Sequence, residues 1–311
     1  MTTETTKGKY NVIGTRPIRH DGYDKVTGRA IYGADIKLPA LLQGAVLRSP
    51  HAHARIKSID TSAAKALAGV SAVITSADFP GAHDTLIDLG EGAINFRYAS
   101  NNVMAGDKVL YKGHPVAAVA ALDKNTALEA AALIKVDYEV LKPVSTVMEA
   151  LKPGAPIVLE DLEGQDLGEK IDGQTNQANH IRHEFGDVEK GFAEADIVIE
   201  HEFDTAMVHQ GYIEPHNATA TWDEEGRVTI WTSTQGSFPT RRQTAGILRL
   251  PDSSVKVIPL EIGGGFGGKI PSYLEPVAAI LSRETGRPVK LLMERTSVFE
   301  STGPTPGTWM S

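Results

Sequence analysis

The sequence contains no cysteine. That excludes disulfides, thiolate metal sites, a cysteine nucleophile and any iron–sulfur cluster held by thiolates of this polypeptide. It also lacks a dense Lys/Arg block. Acidic residues number 39 against 31 basic ones, a net charge of −8, so nucleic acid and anionic membrane are poor partners for it. No run approaches the roughly 18 apolar residues of a membrane-spanning helix, and MTTETTKGKY has no apolar leader core. A cytoplasmic protein is the expectation. Aromatics make up only 6%, yet 41% of the 311 residues are hydrophobic, enough to fill the cores of two domains.

What the chain does have is glycine in one place. Val255 to Ile262 reads as a strand, and it runs into Gly263-Gly264-Gly265-Phe266-Gly267-Gly268-Lys269, five glycines in six residues before the lysine. Such a turn presents main-chain N–H groups that a ligand approaches without meeting a Cβ. A phosphate-binding P-loop requires Ser or Thr after the lysine, and Ile270 and Pro271 stand there instead. The dinucleotide fingerprint also fits, with a helix from Tyr273 to Thr285, a strand from Pro288 to Met293 and Glu294 as the ribose acid. Its position late in the chain argues against it.

The rest of the pattern is α/β. A polar arm occupies residues 1–20. Strands are expected at Gln43–Arg48, Ile56–Ile59, Val70–Thr75, His114–Ala121 and Val136–Val140, with helices from Thr61 to Ala68 and from a Thr126–Glu129 capping box to Lys135. Ala77 to Asn102 reads as loop. Alternation of strands and helices makes residues 21–142 one α/β domain. Residues 143–177, rich in Gly, Pro, Asp and Glu, read as a linker, and residues 178–311 as a second domain. That second part is expected to hold a helix at Asp187–Ala195, strands at Ile197–Phe203, Ala218–Trp222 and Val228–Thr232, and a helix at Phe238–Leu248.

Three groups of residues carry possible chemistry. His51 and His53 have the spacing of two metal ligands on one strand face, without a third ligand nearby. His209, Glu214 and His216 supply the residue types of a two-histidine, one-carboxylate iron site, but not its tight spacing. Gln235, in WTSTQGSF, stands where a strand gives way to a helix, a place from which side chains often face a site.

Taken together, GTRPIRHDGYDKVTGRAIYGADIKLP, LRSPHAHARIKSID, GHPVAAVAA with VDYEVLKPV, HQGYIEPHNATA, WTSTQGSF and EIGGGFGGK followed by TGRPVKLLMER resemble the molybdopterin-binding subunit of the xanthine oxidase and aldehyde oxidase family of molybdenum hydroxylases. The stretches keep the family's order and cover nearly the whole chain.

The resemblance implies an α/β hammerhead domain followed by the first part of a molybdenum-cofactor-binding domain. Gln235 matches the family's glutamine that hydrogen-bonds an oxo ligand of molybdenum, which would make it both catalytic and cofactor-binding. Phe266 and Gly267 match the pair whose backbone amides meet the cofactor, with Gly264, Gly265 and Gly268 completing the loop. No side chain of this chain is implied as a direct metal ligand. The implied cofactor is molybdenum-molybdopterin in its cytosine dinucleotide form, and the implied reaction hydroxylates an aldehyde or an aromatic or heterocyclic carbon with oxygen from water. Iron–sulfur clusters and FAD are then expected on partner subunits, alongside the second half of the molybdopterin subunit, which carries the glutamate base. The residue after the lysine is a glutamate in purine-oxidising relatives, and Ile270 takes that place on the substrate side. A non-catalytic assembly or cofactor-delivery partner with the same fold is the alternative from another class.

Overall fold

A computed structural model describes residues 10–88, 93–303 and 305–311. Ten strands and five helices position the site. The strands are β1 (Leu42–Arg48), β2 (Ala54–Asp60), β3 (Val70–Thr75), β4 (Lys108–Val109), β5 (Pro115–Ala121), β6 (Lys135–Val140), β7 (Asn217–Trp222), β8 (Val228–Thr232), β9 (Val255–Pro259) and β10 (Val289–Leu292). The helices are α1 (Phe96–Val103), α2 (Lys124–Leu133), α3 (Ser237–Ile247), α4 (Glu275–Thr285) and α5 (Arg295–Ser301). Among the described residues no helix is long and apolar enough to cross a membrane.

Seven strands form one mixed sheet in the order β9-β8-β7-β10-β1-β5-β3. The uninterrupted apolar run PVAAVAA of β5 is buried along its whole length, between β1 and β3. Runs of this kind belong to strands covered on both faces. One face of β5 meets α2, and α4, buried from Glu275 to Ser282, packs on β7. The joint between the two halves of the chain is β1 against β10, a parallel pair with Leu42 opposite Val289 and Gly44 opposite Leu291. Residues on both sides of the 143–177 stretch therefore share one sheet. A second, three-stranded sheet of β4, β2 and β6 stands beside it.

The segment before β1 lies along the second half. Lys25 pairs with Glu261, the Glu261 amide donates to the Ile31 carbonyl at 3.1 Å, and Lys290 Nζ donates to the carbonyls of Ala34 and Ile36 at 2.9 and 3.1 Å. The stretch 143–177 is fastened to the smaller sheet. Glu160 accepts from Lys108 Nζ at 2.7 Å and from Arg55 at 2.6 Å.

Several expectations are corrected. The segment read as loop contains α1, which buries Phe96, Ala99 and Val103 on one face and is capped by Asn95 accepting from the Arg97 amide at 2.8 Å; residues 89–92 of that segment lie outside the described residues. The cap of α2 is Asp123 rather than Thr126. Its carboxylate accepts from the Thr126 amide at 3.0 Å and the Thr126 hydroxyl at 2.7 Å, and a carboxylate is the stronger acceptor for the first-turn amides. Ile197–Phe203 forms no strand apart from Phe203 itself, which pairs with Met310. The dinucleotide reading fails on topology. It needs the strand before the glycine loop and the strand after the helix to lie parallel and close, whereas β9 sits at the sheet edge with β8 and β7 between it and β10.

Candidate functional site

The glycine loop leaves the end of β9 and is held from below by Glu214. Its Oε2 accepts from the Gly263 amide at 2.7 Å, from Ser233 Oγ at 2.5 Å and from Lys269 Nζ at 2.8 Å. Lys269 Nζ also donates to Ser233 Oγ at 3.0 Å and lies 5.1 Å from the centre of the Tyr212 ring. One carboxylate thus ties down both ends of the loop. The Lys269 side chain is only 1% exposed, and burial pulls its pKa below the usual lysine range against the Glu214 contact that supports its charge. An ammonium turned inward in this way is not the phosphate-reaching lysine of a P-loop.

Above this floor, Gln235 closes the loop. Its Oε1 accepts from the Gly267 amide at 2.9 Å and the Lys269 amide at 3.1 Å, and its own amide donates to the Lys269 carbonyl at 3.1 Å. With the carbonyl oxygen engaged twice, the carboxamide NH2 is the free end of an exposed side chain. Gly265 is required by contact, because a Cβ there would lie 2.5 Å from Gln235 Oε1. Gly264 is required by its φ of +100°, and Phe266 also takes a left-handed φ of +49° with its ring in solvent. The Gly267 amide is committed to Gln235, so of the two amides expected to face a cofactor, that of Phe266 is the one without an acceptor among the described residues. Gly268 is buried against Tyr212, where a Cβ would lie 2.7 Å from the ring. Half-buried Ile270 follows, with its carbonyl accepting from Gln243 Nε2 at 3.0 Å.

The histidines do not converge on a metal. His216 Nε2 is bonded to Tyr212 Oη at 2.7 Å, and burial lowers its pKa to about 3. His209 Nε2 is bonded to Thr302 Oγ1 at 2.8 Å. Glu214 serves Lys269, and the two histidines are linked to each other through hydroxyls, Tyr212 Oη being bonded to Thr302 Oγ1 at 3.0 Å, so the Nε2 atoms of both are spent on hydroxyl groups. His53 Nδ1 meets the Lys142 carbonyl at 3.0 Å, while His51 stacks edge-on to Tyr138. Among the described residues no group of three His, Asp or Glu has the geometry of a metal site.

The Glu214–Lys269 clamp was not legible beforehand. Its members lie 55 residues apart, and the local sequence around each suggests another role, an iron ligand for Glu214 and a P-loop lysine for Lys269. The usable signal was chemical. A lysine closing a glycine loop with no hydroxyl after it needs an anion of its own.

This loop suits an anionic, oxygen-rich group. It offers the Phe266 amide and the Gln235 NH2 as donors, a backbone cleared of Cβ atoms, and a nearby carboxylate already neutralised beneath the surface. Residues 27–142 match the family model described as the aldehyde oxidase and xanthine dehydrogenase a/b hammerhead domain, and residues 171–311 match the molybdopterin cofactor-binding domain. The nicotinate dehydrogenase large molybdopterin subunit of Eubacterium barkeri is 34% identical over 92% of this chain and 62% of its own length. The carbon monoxide dehydrogenase large chain of Afipia carboxidovorans is 37% identical over 94% of this chain and 36% of its own. Among solved structures, CO dehydrogenase from Oligotropha carboxidovorans aligns with a TM-score of 0.78 at 35% identity, over 94% of this chain and 36% of that one. The chain spans less than two thirds of the length of these relatives. It belongs to the xanthine dehydrogenase and aldehyde oxidase family, as a large-subunit chain with a molybdopterin cofactor-binding domain.

Proposed function

We propose that this chain is the molybdenum-cofactor-binding part of a multi-subunit oxidoreductase that hydroxylates an aldehyde or an aromatic or heterocyclic carbon. The observation that carries the reading is the posture of Gln235: the oxygen is spent on the loop and the NH2 is left as a donor. In this reading residues 21–142 are the hammerhead domain, 143–177 the connection and 178–311 the first part of the cofactor domain. The cofactor is molybdenum-molybdopterin, in the cytosine dinucleotide form.

That group, when bound, supplies a two-electron oxidation with oxygen taken from water. The work of this chain is to hold and orient it. Gln235 Nε2 would donate to an oxygen of the group and the Phe266 amide would add a second donor, Gly267 would leave the exposed face of the loop without a side chain, and Gly264, Gly265 and Gly268 let the loop close on Tyr212 and Gln235. Glu214 and Lys269 keep that surface in one shape. Ile270 gives the substrate side an apolar wall. The proton acceptor is a glutamate on polypeptide corresponding to the rest of the relatives' large subunit, and iron–sulfur and FAD subunits take the electrons, since this chain has no cysteine for a cluster.

The test is elemental and nucleotide analysis of the purified complex. Stoichiometric molybdenum with cytidine nucleotide released on acid hydrolysis is the expected result; bound nicotinamide, or a fully assembled complex without molybdenum, refutes the reading.

A further inference from the structure

Arg48, the last residue of β1, carries a charge that has no carboxylate partner among the described residues. Its Nη1 donates to the Gly113 carbonyl at 3.2 Å and to Ser301 Oγ, both neutral acceptors. Nε and Nη2 have no acceptor among the described residues, yet neither is walled in by protein atoms. Glu300 supports the guanidinium only from a distance, because its carboxylate is paired with Lys112 at 2.7 Å. Burial pulls the Arg48 pKa down to about 10, which still leaves a full cation at neutral pH. Buried charges are ordinarily paired, and this one keeps N–H groups to spare.

Arg48 lines a cavity of about 80 Å³, several times the roughly 10–15 Å³ that one ordered water requires. Val46 from β1, Leu291 from β10, Leu128 from α2 and Met293 give it apolar walls. Among the described residues the other charged groups on its lining are Lys124 and Glu294, both half exposed and paired with each other at 2.5 Å, so they form its rim. Two cations and one carboxylate leave the lining with one positive charge in excess. A water placed there accepts a hydrogen bond but does not balance that charge.

We infer that this cavity is a binding site for a small monovalent anion, a halide or a short monocarboxylate such as formate, held by Arg48 Nε and Nη2. The guanidinium presents these donors as a planar fork, which suits the edge of a carboxylate and also a single spherical ion. One excess positive charge matches a monoanion. A dianion such as sulfate would keep an unbalanced charge among apolar walls, at a high cost in desolvation. The walls come from β1, β10 and α2, so the ion braces the pairing of Leu42–Gly44 with Val289–Leu291 that joins the two halves of the chain. An anion bound by the folded state alone then raises its stability saturably.

The test titrates the complex purified from its producing cell with chloride or with formate at constant ionic strength, gluconate, too large for the cavity, making up the balance. Chloride NMR line broadening and the thermal unfolding midpoint are expected to respond saturably, with formate displacing chloride. The Kd should weaken at least about tenfold in Arg48→Met and stay unchanged in Lys57→Asp, on the separate small sheet. Should Arg48→Met fail to assemble, Lys124→Glu keeps the guanidinium and turns the one excess positive charge of the lining into one excess negative charge, so the same weakening is expected there. Where chloride gives the response, bromide soaked into crystals of the complex should show anomalous density within hydrogen-bond distance of Arg48. A response to chloride alone identifies a halide site and a response to formate alone a carboxylate site, and either upholds the inference if Arg48→Met or Lys124→Glu weakens it. No saturable response to either anion, an undiminished response in these variants, or a chloride response with bromide density only away from Arg48 overturns it.

Discussion

Lys269 Nζ lies 2.8 Å from Glu214 Oε2, beneath the glycine loop and out of water. Because the same carboxylate oxygen accepts from the Gly263 amide, the pair binds the first and last residues of the loop to a single point.

Removing one charge strands the other. Lys269→Met leaves Glu214 ionised with Ser233 and Gly263 as its remaining Oε2 donors, and breaking a buried pair in this way costs about 3–5 kcal/mol. Denaturant unfolding should show a lower midpoint with an unchanged slope. Adding Glu214→Gln to Lys269→Met should recover part of the loss, because the uncompensated charge is gone. A loss below about 1 kcal/mol for Lys269→Met would mean that the pair is screened like a surface contact.

Gln235→Ala in the assembled complex should reduce turnover by two to three orders of magnitude, since loss of one preorganised donor raises the barrier by about 3 kcal/mol. The hydrogen bond from its backbone N–H to the Lys269 carbonyl survives the change, so folding should be largely retained. Parental turnover with molybdenum retained would remove Gln235 from the reaction.

Gly265→Ala tests the cradle. The new methyl would stand 2.5 Å from Gln235 Oε1, so the carboxamide must leave its two loop amides. Molybdenum content should fall together with activity. Equal molybdenum in parent and Gly265→Ala contradicts the placement.

An apolar Ile270 cannot hydrogen-bond a purine edge, and an unpaired ring nitrogen beside it is disfavoured. Xanthine and hypoxanthine are therefore expected to be poor substrates compared with aldehydes or aromatic acids, measured as kcat/KM with a dye acceptor. Efficient xanthine oxidation would refute this.

Two buried histidines set an acid limit. The His114 Nδ1 accepts from the Leu110 amide at 3.2 Å, and Nε2 meets the Asn101 carbonyl at 2.6 Å, an arrangement that only the neutral ring satisfies. Burial lowers His114 to about 4 and His216 to about 3, from 6.5. Below 6.5 the unfolded chain then binds more protons than the folded one, so their contribution is complete above that pH and is lost as pH falls through about 4 and about 3. Glu275, raised by full burial, acts in the opposite sense above its ordinary value. The discriminating measurement is the difference between the parent and His114→Gln, whose stability curve should be flatter from pH 6.5 down to 4.

Local pattern determined much of this protein. The apolar run of β5, the alternation in β8, and the punctuation by Gly and Pro placed most strands and helices within a few residues, because those elements follow from side-chain period and turn chemistry. The glycine loop and Gln235 were visible as motifs for the same reason. Tertiary structure alone decided what no short window contains. It joined β1 to β10 across some 250 residues, turned Lys269 inward to Glu214 and scattered His209, Glu214 and His216 to separate partners. It also left Ile197-Val198-Ile199 unpaired despite a strand's sequence, because a strand forms only where another edge meets it. Hydrogen-bond partners and buried charges are chosen by proximity in the fold, and proximity is the property a linear pattern does not encode.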